Sequence, residues 1–143
     1  LSDFVLDASV TLAWCFEDEN DAYADAVLGF LGNHIAVVPA LWFSEIANAI
    51  AVAERRRRIR RTEISRVVGL ISSIAITVDH NLTIHPWMTN VIALAQKTNL
   101  SSYDATYLEL AMRLGLPLAT TDRALRLAAT NQDVPAFSPR RSS

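Results

Sequence analysis

The sequence predicts an α/β domain, a three-layer α/β/α arrangement around a central, mostly parallel sheet. Short apolar runs recur along the chain: Phe4-Val5-Leu6, Ile35-Ala36-Val37-Val38, Ile74 to Val78, and Leu118 to Thr120. Stretches with helical character separate each run from the next. Apolar runs this short and this continuous suit strands covered on both faces, as in sheets built from strand–helix–strand units. The first and last runs each lead into an aspartate, Asp7 directly and Asp122 after Thr121. Sheets of this kind bind ligands at the carboxyl ends of their strands, where both aspartates would lie.

The elements follow in order. After the strand ending at Asp7, Ala8-Ser9 begins a helix to about Phe16. Asp21 to Leu31 carries a second helix, with Ala22, Ala26 and Phe30 near one face, stopped by Gly32-Asn33. Pro39 closes the second strand. A long helix then runs from about Leu41 to Arg58 on an apolar stripe of Trp42, Ile46, Ala49, Ile50 and Ala53. Thr62 is placed to cap a further helix ending at Ser73, whose core face is Val67, Leu70, Ile71 and Ile74. After the third strand and the polar turn Asp79-His80-Asn81, His85-Pro86 opens a helix to about Thr98. Ser101-Ser102 caps the helix Tyr103 to Leu114, and Gly115 stops it. A helix over Arg123 to Ala129 follows the strand Leu118 to Thr120, and Val134 to Phe137 reads as an edge strand. Residues 1–138 are expected to form one domain and residues 139–143 a flexible tail.

Composition supports one compact unit. The 143 residues are 51% hydrophobic and 20% charged, enough apolar material for a core and too little polarity for disorder. Charges interrupt the apolar runs too often for a membrane span. No basic-then-apolar leader is visible, so a cytoplasmic location is expected. Cys15 is the single cysteine and lies in an apolar run. It reads as a packing residue, in keeping with a reducing compartment.

Two acids stand where acids do not belong. Asp104 shares a stripe with Tyr107, Leu108 and Ala111, and Glu45 falls between Trp42 and Ala49 on the stripe of the long helix. A carboxylate on a core face needs a partner. Each of Asp7, Glu45, Asp104 and Asp122 has an ordinary explanation alone. Asp7 and Asp122 could cap the helices that follow them, Asp104 could answer a helix dipole, and Glu45 could pair with an arginine. Four such acids together, two on apolar stripes and two at strand ends, favour a shared site. Clustered carboxylates cannot all remain ionised without a cation. An oxygen-only set suits Mg2+ or Mn2+. His34, His80 and His85 lack zinc-ligand spacing. Such a site is the usual apparatus of phosphodiester hydrolysis by metal-activated water. Ser9, Thr120 and Thr121 are candidates to hold the carboxylates or a metal-bound water in place, with strand or cap roles the plain alternative for the threonines.

Four segments, F-V-L-D-A-S-V, S-E-I-A-N-A, S-S-Y-D-A-T-Y-L-E-L-A and L-A-T-T-D-R-A-L, resemble the PIN domain, and in particular the VapC toxins of bacterial toxin–antitoxin pairs. They occur in the family's order at family-like spacing. The resemblance implies a Mg2+- or Mn2+-dependent endoribonuclease, a dimer, and a cognate VapB-like antitoxin that silences it. By the resemblance Asp7, Glu45, Asp104 and Asp122 are the acidic catalytic positions. Asp7, Asp104 and Asp122 are metal ligands, with Glu45 either a ligand or a base. Thr120 matches the hydroxyl residue two before the last acid, and Asn48 the polar residue one turn after the helix acid.

Charge adds a second feature. Residues 54–66 hold seven arginines against Glu54 and Glu63, a local +5 that leaves −7 for the rest of a chain whose net charge is −2. Arg55, Arg56, Arg57, Arg58, Arg60 and Arg61 are candidates for gripping RNA phosphates or the acidic residues of an antitoxin. Arginines at a helix end also complement its dipole, so a solvated face without a partner is the plain alternative. Two other functions compete with the nuclease. A non-catalytic RNA- or protein-binding module would keep the acids only for recognition. A phospho-acceptor signalling domain would show paired acids after the first strand and a lysine near a late strand, whereas Lys97 is the chain's lone lysine and lies in a helix.

Overall fold

The structure, a computed structural model, describes residues 3–139. Its elements are β1 (Phe4–Leu6), α1 (Ala8–Cys15), α2 (Ala22–Phe30), β2 (Ala36–Val38), α3 (Leu41–Arg55), a 3-10 turn (Arg61–Glu63), α4 (Ile64–Ser72), β3 (Ile76–Val78), α5 (Ile84–Thr98), α6 (Ser102–Leu114), β4 (Leu118–Ala119) and α7 (Arg123–Asn131). The strands form one parallel sheet in the order β3-β2-β1-β4. Phe4 pairs with Ala36, Val5 with both Val37 and Leu118, and Val38 with Val78. Parallel neighbours require crossovers, and helices supply them. The three-layer α/β/α reading of the sequence holds.

The first strand is central for a simple reason. Phe4, Val5 and Leu6 are all completely buried, as only a strand with neighbours on both edges and helices on both faces can be. The ladder continues one residue beyond the strand, where the Asp7 N–H donates to Ala119 O at 3.0 Å. That bond fixes the backbone of Asp7 at the carboxyl end of the sheet. α6 lies against β1 and β4 and packs along α5, while α1 packs on α2 and α3. Every residue of α6 from Ala105 to Ala111 is buried, so this helix has no solvent face over two turns. Ser101 caps it by accepting the Asp104 N–H at 3.1 Å, and Gly115 ends it at φ 65°.

Several boundaries differ from the sequence reading. α3 stops at Arg55, short of Arg58. Arg57 adopts φ 58°, the Arg58 N–H reaches back to Ala53 O at 2.8 Å, and Ile59 turns into the core. This is a Schellman-type ending whose left-handed position is filled by an arginine instead of glycine. Ala24 and Val27 form the buried face of α2, while Ala22 and Ala26 are exposed. Asp21 caps that helix through the Ala24 N–H. Thr62 does not cap α4; it sits inside the 3-10 turn, and of the α4 residues only Val67 is fully buried. β3 begins at Ile76, two residues after Ile74. The segment Val134 to Phe137 contributes a single bridge, Ala136 to Leu118, and not a strand. Of the expected tail, residues 140–143 lie outside the described residues. No helix among the described residues is long and apolar enough to cross a membrane. Cys15 is buried, its thiol pushed up to about 11 by burial, and it donates to Thr11 O.

Candidate active site

Asp7 occupies the N-cap position of α1, yet its carboxylate makes no cap hydrogen bond. It is bound from behind by two hydroxyls. Ser9 Oγ donates to Asp7 Oδ2 at 2.6 Å and Thr120 Oγ1 donates to the same oxygen at 2.7 Å. Each hydroxyl in turn accepts a backbone N–H, Ser9 from Thr121 at 3.1 Å and Thr120 from Asp122 at 3.0 Å. A hydroxyl that receives an amide proton is left to point its own proton at the carboxylate. The arrangement stitches the end of β1 to the β4–α7 turn and fixes one Asp7 oxygen. Thr121 contributes its backbone and not its side chain.

Glu45, one turn into α3, is half-buried and accepts a hydrogen bond from Tyr107 Oη at 2.6 Å. Among the described residues no arginine pairs with it. Tyr107 is completely buried on α6, and its hydroxyl explains how a carboxylate survives on the α3 stripe. The sequence reading took Tyr107 for core packing and missed this role. The available signal was a polar tip on an otherwise apolar stripe. Asp104 sits in the first turn of α6, half-buried. Asp122 is more exposed, and one of its oxygens caps α7 through the Leu125 N–H at 3.0 Å.

The four acids act on one another electrostatically. Burial is the main cause that raises the Asp7 carboxyl above the usual range. The two hydroxyl bonds oppose it, and the charges of Glu45 and Asp122 add to it. Asp104 is raised by burial and then by Asp7 and Asp122. Glu45 is raised by burial and by Asp104, against the Tyr107 hydrogen bond. Thus Asp7 at the end of β1 lies within electrostatic reach of Glu45 on α3 and Asp122 before α7, and Asp104 on α6 within reach of all three. Among the described residues no Lys, Arg or His forms an ion pair with any of the four. Nor are any three His, Cys, Asp or Glu side chains drawn tightly enough together to make a ready coordination shell. Like charges oppose such an approach until a cation offsets them. The donor chemistry, carboxylate oxygens with uncompensated negative charge, fits a hard divalent ion. Asn48 is exposed and hydrogen-bonds to none of the four.

The arginines lie elsewhere. Ten residues of α3 separate Glu45 from Arg55, about 15 Å at the helical rise. Arg58 is committed to the α1–α2 loop: it binds Asp18 and Glu19 at 2.8 and 2.9 Å, with its guanidinium 4.2 Å over the Phe16 ring. The Arg58 side chain remains 37% exposed in this clamp. Arg60 and Arg61 make only long contacts, 4.0 Å to Glu63 and 3.8 Å to Glu54. Arg55, Arg56 and Arg57 are exposed and form no ion pair among the described residues.

Comparison with known proteins agrees with this geometry. The family model described as the PIN domain matches residues 4–131, a span that takes in all four acids. No curated protein matches the chain. Among solved structures, PAE2754 from Pyrobaculum aerophilum is similar at TM-score 0.67 and 24% identity, over 89% of this chain and 84% of that one. FitAcB from Neisseria gonorrhoeae is similar at TM-score 0.61 and 17% identity, over 95% and 97%. A domain of a functionally unknown protein from Methanocaldococcus jannaschii DSM 2661 is similar at TM-score 0.56 and 16% identity, over 100% and 94%. At these identities the structural likenesses establish the fold. On the match that spans nearly the whole chain, this protein belongs to the PIN domain family.

Proposed function

We propose that this chain is a Mg2+- or Mn2+-dependent endoribonuclease acting as the toxin of a VapC-type toxin–antitoxin pair. PIN domains are in general nucleases that use divalent metals, and that much comes with the family. The observation that carries the finer reading is the delivery of Asp7, Glu45, Asp104 and Asp122 to one crevice with no cationic side chain among them. Asp7, Asp104 and Asp122 would hold the metal. A bound Mg2+ or Mn2+ supplies charge neutralisation at phosphorus and an acidified water.

The chain's own groups do the rest. Ser9 and Thr120 hold Asp7 in one orientation through Oδ2, leaving its other oxygen for the metal. The Tyr107 hydroxyl fixes Glu45, which accepts a proton from the attacking water or completes the ligand set. The exposed Arg55, Arg56 and Arg57 supply affinity for the phosphate backbone some 15 Å from the acids. The acidic crevice alone repels a polyanion until it is loaded, so binding has to come in part from such a remote patch. The toxin assignment rests on the order and spacing of the four motifs. It implies a homodimer and a small antitoxin partner.

The test is cleavage of total cellular RNA by the purified protein with Mg2+, with Mn2+ and with chelator, cut sites being mapped at nucleotide resolution. Cleavage should need the metal and should fall at least a hundredfold in Asp7→Asn and Asp104→Asn, the scale on which charge-stabilising groups act in catalysis. A pure, antitoxin-free protein that cuts no RNA with either metal overturns the reading and leaves the binding module.

A further inference from the structure

Arg126, one turn after Asp122 on α7, is exposed yet fully engaged. Its Nη2 donates to Thr120 O at 2.6 Å, and its guanidinium lies 4.8 Å over the Tyr23 ring. The Tyr23 hydroxyl is held in turn by donating to Phe137 O at 2.8 Å. A guanidinium stacked on an anchored ring is restrained, so its bond to Thr120 O keeps one geometry. Among the described residues no other donor reaches that carbonyl, and Thr120 is only 1% exposed. A buried carbonyl needs such a partner.

The Thr120 carbonyl and the Thr121 N–H belong to one planar peptide unit. That N–H donates to Ser9 Oγ at 3.1 Å, and Ser9 Oγ donates to Asp7 Oδ2 at 2.6 Å. Holding one edge of the plane therefore sets the other. The Thr120 side chain hangs from the same residue and gives Asp7 its second hydroxyl, at 2.7 Å. Both bonds that fix the Asp7 carboxylate thus depend on a peptide that Arg126 grips from the far side.

We propose that Arg126 is a positioning residue for the metal site: by gripping Thr120 O it orients the 120–121 peptide, and through Ser9 it holds Asp7 ready for a divalent cation. It acts through Ser9 and Thr120 and takes no part in proton transfer. The sign of its effect separates this role from a purely electrostatic one. By charge alone a guanidinium near Asp7 opposes a cation, so its removal would tighten metal binding. Positioning predicts that removal weakens it. The inference rests on the metal-dependent reading of the site.

The experiment titrates the full chain with Mn2+ and counts the free ion by electron paramagnetic resonance, at a temperature where thermal melts show each variant folded. Arg126→Met should weaken Mn2+ binding about tenfold, the lower end of what groups behind a metal ligand contribute. Ser9→Ala should cost a similar factor. The double variant should cost little more than either alone, because both changes break one path. Arg126→Lys keeps the charge, loses the planar fork, and serves if the methionine variant does not fold. It should weaken binding about threefold alone and hardly further in the Ser9→Ala background. An Mn2+ affinity unchanged or tighter in the Arg126 variants, or losses that multiply in the double variant, overturns positioning and leaves the metal site standing. A wild-type protein that binds no Mn2+ overturns both.

Discussion

At the scale of single residues the site depends on hydroxyls more than on charges. Ser9, Thr120 and Tyr107 each hold a carboxylate whose proton affinity burial has raised. This has a consequence for stability. A carboxyl whose folded pKa lies above its unfolded value binds more protons folded than unfolded between the two. The contribution of Asp7, Glu45 and Asp104 is therefore most favourable below their reference values of 3.8 for Asp and 4.5 for Glu, and it is lost as pH rises through the raised folded values. In chelator, Asp104→Asn should melt a few degrees above wild type at about pH 7.5, and the gap should close toward about pH 4. Mg2+ or Mn2+ should raise the wild-type melting temperature at neutral pH and have less effect on the variant. Differential scanning calorimetry across pH reads both; a gap that widens toward acid would reverse the assigned direction.

At the scale of elements, another polar cluster holds the α6 end far from Asp104. Arg113 binds Asp79 through two bonds, 2.6 and 3.2 Å, and Glu109 through two more, 2.8 and 3.2 Å. The Asp79 and Glu109 side chains are only 5% and 8% exposed, so removing Arg113 strands two buried acids. Arg113→Ala should cost roughly 2–4 kcal/mol in urea unfolding, discounted from the fully buried case because Arg113 is itself 29% exposed. The guanidinium holds the Asp79 carboxyl below its usual range, so this stability is present at neutral pH and fades as pH falls through the lowered value. Only half of the cluster was legible beforehand. Glu109 and Arg113 are an i, i+4 pair in plain view, but Asp79 lies 34 residues away and read as part of a polar turn. The same limit explains the other misses. Strand runs and capping serines are local signals, and they placed β1, β4 and the start of α6 closely. The end of α3 depended on Ile59 finding the core, and the inner face of α2 on what packed against it. Propensity within a window carries neither fact. Glu45 and Asp104 drew attention because each broke a local rule, Asp7 and Asp122 because each follows a buried strand run. Tyr107 did not, because a tyrosine on an apolar stripe breaks none.

At the scale of the molecule, the two ends of α3 do different work. Its first turn faces the crevice with Glu45. Its last residues open the arginine patch, where Arg58 ties the end of α3 to the α1–α2 loop while Arg55, Arg56 and Arg57 form no ion pair among the described residues. The local +5 of residues 54–66 thus begins at the end of α3 opposite Glu45. RNA affinity should consequently fall steeply with salt, and neutralising Arg55, Arg56 and Arg57 together should flatten that slope by roughly three contacts' worth.

The complete burial of α6 between Ala105 and Ala111 sets a clock on the site. Backbone amides with no solvent face cannot exchange by fraying, so those seven should trade hydrogen for deuterium only when the whole domain opens. Asp104 hangs from the first turn of that slow-exchanging helix. Hydrogen exchange should therefore show α6 as protected as β1, while the exposed N-terminus of α5 exchanges orders of magnitude sooner. If α6 is that protected, local melting would leave Asp104 in place, and loosening the acids would require opening the whole domain.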